Sequence, residues 1–258
     1  VTTTLVCRVQ RRLPIAVVAL YGTLDQSSVA RAVVTMRDCL AEAPTVLLVD
    51  VSHLVVASAA ALRRIVSLVG EARAWPDARI GFCGNTSETN ALLAEYEPVD
   101  RPSVYSDVDA GVAAALDVPV ATRTSLALRP DAEAPALARQ YVMDTCTDWG
   151  ISRVAKLASL VASELVTNAV VHARTPSVMA LRLANDTLHV SVRDNDPRPM
   201  FRPVPGLTGA HDGDHGRGLL ILDGMADEWG THPTADGKVV WATISVKPAG
   251  AQAGRCET

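Results

Sequence analysis

The sequence predicts an α/β unit followed by an α+β unit, and three observations carry that expectation. Residues 13–116 alternate short Val-, Leu- and Ile-rich runs with segments of helical spacing, the pattern of a parallel or mixed sheet covered by helices. Residues 117–124 (DVPVATRT) lose that periodicity around a proline, which puts a boundary near residue 120. Two helical patterns then occupy 134–173, and a hairpin signal follows at 178–192. A chain of 258 residues is long enough for two cores, so we expect domains at 1–119 and 125–248, with 249–258 as a tail.

In the first unit, residues 13–24 (LPIAVVALYGTL) read as a strand closed by Gly22 and the polar turn 25–28. Ser28 offers an N-cap to a helix over 29–42. Residues 45–51 (TVLLVDV) form a nearly continuous apolar run, as a strand buried on both faces does, and Asp50 is unusual within it. Ser58 precedes an Ala-rich helix over 59–75. A third strand is expected at 79–83, a helix at 88–96, a short strand at 104–105 and a last helix at 107–116.

The second unit opens on an edge strand at 125–128 and a helix over 134–149 that Gly150 ends. Ser152 is read as the cap of the next helix, which runs through 156–173 (KLASLVASELVTNAVVHA). Leu157, Leu160, Val161, Leu165 and Val171 recur near a period of 3.6 and form its buried stripe. Beside that stripe Glu164, Asn168 and His172 stack at i, i+4 and i+8. Such a row is either a solvated face or a site. Strands at 178–183 and 188–192 join through Asn185-Asp186, and Asp194 follows the second of them. Residues 195–215 show no periodicity, and at that length the segment is a functional lid or a disordered stretch. Gly216-Arg217-Gly218-Leu219 opens a helix, where glycines let backbone N–H groups approach an anion and the helix dipole favours negative charge. A final strand at 238–246 puts Trp241 and Thr243 on one face.

Composition narrows the functions. With 48% apolar and 20% charged residues, this is a soluble globular composition. A net charge of −4 argues against a nucleic-acid surface. No apolar run approaches the ~20 residues that cross a bilayer, and the start lacks signal-peptide features, so a cytoplasmic protein without a membrane partner is expected. Cys7, Cys39, Cys83, Cys146 and Cys256 are scattered without CxxC spacing and fit neither a disulfide framework nor a zinc site.

Two resemblances follow from these residues. The element order, the Gly22-Thr23-Leu24-Asp25 turn and the Val49-Asp50-Val51-Ser52 strand end make residues 5–117 similar to a STAS domain, the fold of anti-sigma factor antagonists. In that family a serine near the start of the following helix is phosphorylated. Here Ser58, Ala59, Ala60 and Ala61 align with that segment, and Ala60 stands at the acceptor position without an oxygen. Ser58 and Ser52 are nearby, and a helix cap explains Ser58.

The Glu164–Asn168 row, Asp194 and the Gly216–Leu219 run occur in the order of the N, G1 and G2 boxes of the GHKL ATPases. Together with Trp229-Gly230, residues 125–247 resemble the anti-sigma factor serine kinase branch. The resemblance implies a Bergerat-type α/β sandwich that binds ATP with Mg2+. It places Asn168 at the metal, Glu164 as general base, Asp194 on the adenine amine, Gly216, Arg217, Gly218 and Leu219 around the phosphates, and Thr243 beside the adenine. Arg217, or Arg198 and Arg202, would offset charge during transfer. Relatives often have glycine where this chain has Asp196, a second carboxylate expected to repel phosphates. The implied function is an ATP-dependent serine/threonine kinase acting on a STAS-type antagonist and controlling a sigma factor, with a nucleotide-gated binding module as the alternative. A homodimer is left open. A histidine-kinase fragment is disfavoured, because no dimerising hairpin with a candidate phospho-histidine is present.

Overall fold

The computed structural model describes residues 4–12, 14–75, 77–84, 86–95, 102–117, 121–198 and 222–247. Contacts divide the chain into Val1–Val120 and Ala121–Thr258.

The first unit is a five-stranded sheet in the order β1-β2-β3-β4-β5, with β1 at Val6–Arg12, β2 at Ile15–Leu24, β3 at Val46–Val56, β4 at Arg79–Cys83 and β5 at Ser103–Tyr105. β1 runs antiparallel to β2, and the remaining pairs are parallel. This is the mixed sheet with helices that the STAS resemblance implies. β3 explains its own sequence. Leu47, Val49 and Val51 join the core with α1 (Val29–Leu40), α2 (Ala59–Val66) and α3 (Leu68–Ala74), whereas Val46 and Leu48 face a second cluster with Ala115 of α5 (Val108–Leu116). Both faces are covered, so the run is apolar throughout. A short α4 spans Ser87–Ala94.

Several boundaries depart from the expectations. The single helix expected over 59–75 breaks at Ser67, whose Oγ donates to the Arg64 carbonyl at 2.9 Å and competes with the helical ladder. Ser58 caps α2 as expected, its Oγ accepting from the Ala61 N–H at 3.3 Å. Ser28 precedes α1 but makes no cap bond. Its hydroxyl instead closes the turn, accepting from the Asp25 N–H at 3.0 Å and donating to the Thr23 carbonyl at 3.1 Å.

The second unit is an antiparallel five-stranded sheet in the order β6-β7-β8-β10-β9. Its strands are β6 (Thr122–Leu128), β7 (Ser177–Ala184), β8 (Thr187–Asp194), β9 (Glu228–Pro233) and β10 (Lys238–Ser245). The edge strand therefore begins at Thr122 rather than 125. Asn185 and Asp186 both take positive φ, 48° and 60°, the conformation a two-residue hairpin turn requires.

Helices α6 (Ala134–Asp148) and α7 (Ser152–Asn168) lie on one face of this sheet. Ala134, Ala138, Ala155, Ala158 and Ala162 are buried between them, and these small side chains let the helices approach closely. Leu160 and Val171, expected in the buried stripe, are 45% and 47% exposed; the alanines occupy the interface instead. Ser152 is the first residue of α7 and not its cap, a position held by Ile151. Together with the turn that follows it, this helix spans Ser152–Ala173, 22 residues that contain an 18-residue window of mean hydropathy 1.5, long and apolar enough by that measure to depart from the expectation that no run approaches membrane-spanning length. Its Val161, Leu165 and Val166 are packed in the core of the unit.

Buried thiols complete the picture. Burial, with the charges of Asp50 and Asp107, pushes the Cys83 thiol up to about 12, and burial pushes Cys146 up to about 11. No disulfide or metal cluster forms among the described residues.

Candidate nucleotide site

Helix α7 ends at Asn168, and the chain continues as a π-helical turn, Ala169–Ala173, closed by Arg174 in the left-handed region at φ 55°. Widening the turn from i+4 to i+5 bonding moves His172 off the line through Glu164 and Asn168, so the polar row stops at Asn168. π turns recur at functional positions because they re-aim side chains without ending the helix.

Glu164 and Asn168 are both half-buried. The amide nitrogen Nδ2 of Asn168 is buried and has no hydrogen-bond partner. An orphaned buried donor is costly, on the order of 1–3 kcal/mol, and a water or a ligand acceptor would satisfy it. No bond fixes the orientation of this amide, so either its oxygen can face a cation or its nitrogen a phosphate oxygen.

Asp194 is the last residue of β8 and is 2% exposed. Two hydrogen bonds tie its strand end to the turn after α7. The Asn195 N–H donates to Thr175 Oγ1 at 3.1 Å, and Arg198 Nη2 donates to the His172 carbonyl at 2.7 Å. The residue opposite Asp194 on β10 is Lys238, and its buried ammonium donates to Asp194 Oδ1 at 3.1 Å.

Asp196, expected to repel phosphates, is already neutralised. Arg198 Nε donates to Asp196 Oδ1 and Oδ2 at 2.9 and 3.1 Å, and Lys238 Nζ reaches Oδ2 at 3.4 Å. The Arg198 hydrogen bond first, and then the charges of Lys238 and Arg198, hold this carboxyl well below the usual range. Two carboxylates and two cations thus cancel within the wall of the site.

Gly237 makes that wall possible. A Cβ added there would lie 2.0 Å from the Asp194 carbonyl oxygen and 2.8 Å from the Asn195 Cα. Backbone atoms cannot yield as a flexible side chain can, so Gly237→Ala is expected to displace Asp194 and lower ATP affinity on the order of tenfold or more. Calorimetric titration of the folded variant checks this, and an unchanged affinity rejects it.

Thr243 lies elsewhere. It stands five residues along β10 from Lys238, roughly 17 Å at strand rise, and pairs with His189 and Glu228. Its hydroxyl accepts from the Glu228 N–H at 3.1 Å and donates to the Glu228 carbonyl at 3.3 Å. The structure therefore does not bring it to Asp194. Gly216, Arg217, Gly218, Leu219 and Arg202 lie outside the described residues. Just after them, residues 222–225 are helical, Leu222 is fully buried, and Asp223 Oδ1 accepts from Trp229 Nε1 at 2.6 Å. Gly230 then leaves room for Trp241 on the neighbouring strand, whose ring a Cβ would approach to 2.8 Å.

Residues 128–244 match the model of the histidine kinase-like ATPase domain family. The second unit carries a histidine kinase-like ATPase domain. Nucleotide binding is the property this domain implies, and the orphaned amide of Asn168 is compatible with it.

Several solved structures resemble the chain, and three of them are as follows. The RsbU and RsbW domains of Rv1364c from Mycobacterium tuberculosis match at 18% identity over 48% of this chain and 32% of that one, with a TM-score of 0.37. Our chain thus spans about a third of that structure. The anti-sigma factor antagonist SpoIIAA in its unphosphorylated form matches at 11% identity over 44% of this chain and 100% of that one, with a TM-score of 0.38. The histidine kinase domain of a blue-light activated histidine kinase from Erythrobacter litoralis EL346 matches at 17% identity over 83% of this chain and 94% of that one, with a TM-score of 0.26. No curated protein matches the chain.

Proposed function

We propose that this protein is a regulatory serine/threonine kinase that transfers the γ-phosphate of ATP to a STAS-type antagonist and thereby controls a sigma factor. The observation that carries the proposal is the pairing, on one helix of an ATPase domain, of a half-buried Glu164 with an Asn168 whose buried amide lacks a partner. Asn168 would hold Mg2+, which supplies neutralisation of phosphate charge. Asp194 would accept from the adenine amine. Glu164, one turn before Asn168, would take the proton of the incoming hydroxyl as its oxygen bonds to the γ-phosphorus. The bond from that phosphorus to the bridging oxygen breaks, and ADP leaves. Cytoplasmic location belongs to the same proposal. Incubating the full chain with γ-labelled ATP, Mg2+ and candidate STAS proteins tests it: label on a partner serine or threonine is expected, and failure across all candidates removes the kinase reading.

A second reading is favoured by Ala60, which is exposed and stands where the STAS resemblance expects an acceptor hydroxyl. In it, ATP gates a partner surface without transfer. Both readings require Asp194→Ala to lose ATP binding, measured by calorimetry; equal affinities in variant and wild type would reject Asp194 as the base contact.

A further inference from the structure

Lys238 is a buried cation to which the ATP-binding reading gives no role. An ammonium has three protons, and three acceptors surround this one: Asp194 Oδ1 at 3.1 Å, the Asp196 carbonyl at 3.0 Å and Asp196 Oδ2 at 3.4 Å. Every donor is taken, so Lys238 has none left for a ligand. The effect falls on Asp194. Its Oδ1 accepts both from Lys238 and from the Asp196 N–H, the latter at 2.9 Å. One carboxylate oxygen offers about two lone-pair sites, so Oδ1 is filled, and Oδ2 is the oxygen left for a nucleotide base.

We propose that Lys238 is a specificity-determining residue of the nucleotide site: by filling one oxygen of Asp194 it makes that carboxylate a single acceptor, suited to the amine of adenine and unsuited to guanine. The proposal rests on the reading of Asp194 as the base contact. Guanine presents N1–H and N2–H side by side, and a free carboxylate accepts such a pair with both oxygens. With Oδ1 occupied, one of those donors is buried without a partner. Adenine presents a single amine N–H along that direction, and hypoxanthine presents N1–H alone.

Lys238 cannot step aside easily. Its side chain is 8% exposed and that of Asp194 is 3% exposed. Arg198 is already engaged with Asp196 through two bonds, so withdrawing the ammonium would strand the buried Asp194 carboxylate.

The test is calorimetric titration of the full chain with the Mg2+ complexes of ATP, ITP and GTP. ITP differs from GTP by the 2-amino group alone. The wild type is expected to bind ITP more tightly than GTP on the order of tenfold, the effect of one unpaired buried donor. In Lys238→Met combined with Asp196→Gly, which removes the cation and its own carboxylate together, the gap is expected to shrink to within about threefold. Equal binding of ITP and GTP by the wild type overturns the proposal, as does an unchanged gap in the folded double variant. Should that variant not fold, the wild-type comparison decides. ATP binding that survives Asp194→Ala would instead overturn the reading beneath the proposal, and no binding of any of the three nucleotides would overturn both.

Discussion

Glu164→Ala is expected to lower phosphoryl transfer to a partner hydroxyl by about 10²- to 10⁴-fold, the usual contribution of a positioned general base. ATP affinity should change by no more than about threefold, because a base that acts only as the proton leaves contributes to the transition state and not to the ground state. Glu164 lies within α7 between buried Ser163 and Leu165, on a helix whose apolar face is fixed by the core, so alanine there leaves the packing intact. Single-turnover transfer of labelled phosphate, read beside calorimetric ATP binding, separates the two quantities. A parallel fall in both would make Glu164 a binding or structural residue, and equal transfer by variant and wild type would end the kinase reading.

Acid should weaken the second unit through His189. This imidazole sits on β8 between Arg182 of β7 and Thr243 of β10, and both its ring nitrogens are buried without a hydrogen bond. Burial, and then the Arg182 charge, pull its pKa down to about 4. In the unfolded chain a histidine takes its proton near 6.5. Above that value neither state is protonated and the full stability is present. As pH falls from 6.5 towards 4 the unfolded chain binds a proton that the folded chain refuses, and stability drops. The loss approaches about 3 kcal/mol once pH is below 4. Denaturant titrations of wild type and His189→Leu at pH 7.5 and 4.5 test this: the variant should show the shallower dependence, and equal slopes would refute the role of His189. The depressed carboxyl of Asp196 acts in a lower window, stabilising above its unfolded value near 4 and losing that contribution as pH falls further.

How legible these features were depended on how local their causes are. The helix bearing Glu164 and Asn168 was legible because a 3.6-residue period repeats over four turns. Its π-helical end was not, since the pattern of apolar residues is the same in either winding until packing selects one. β1 was missed: Leu5, Cys7 and Val9 do alternate toward the core, but the arginines among them make the segment look like a polar lead-in. β9 was missed for a different reason. EWGTHP contains a glycine and a proline and has little intrinsic strand preference; pairing with β10 makes it a strand. Lys238 illustrates the hardest case. Its type and its place at a strand start are plain in the sequence, yet which carboxylate it meets is set by the β8–β10 register, a contact 44 residues apart. Thr243 was assigned to the adenine without that register, which puts it at the other end of the strand.

The sheet order carries a consequence for how the nucleotide site comes into being during synthesis. β10, the last of the described strands in the chain, is an interior strand: it lies between β8 and β9, and no ladder joins those two directly. A nascent chain that has emerged only as far as β9 therefore lacks the strand through which β9 joins the sheet. It also lacks Lys238, the cation paired with Asp194. Closure of the sheet and pairing of the Asp194 carboxylate both depend on the segment that begins at Lys238, so a chain that stops at β9 has neither.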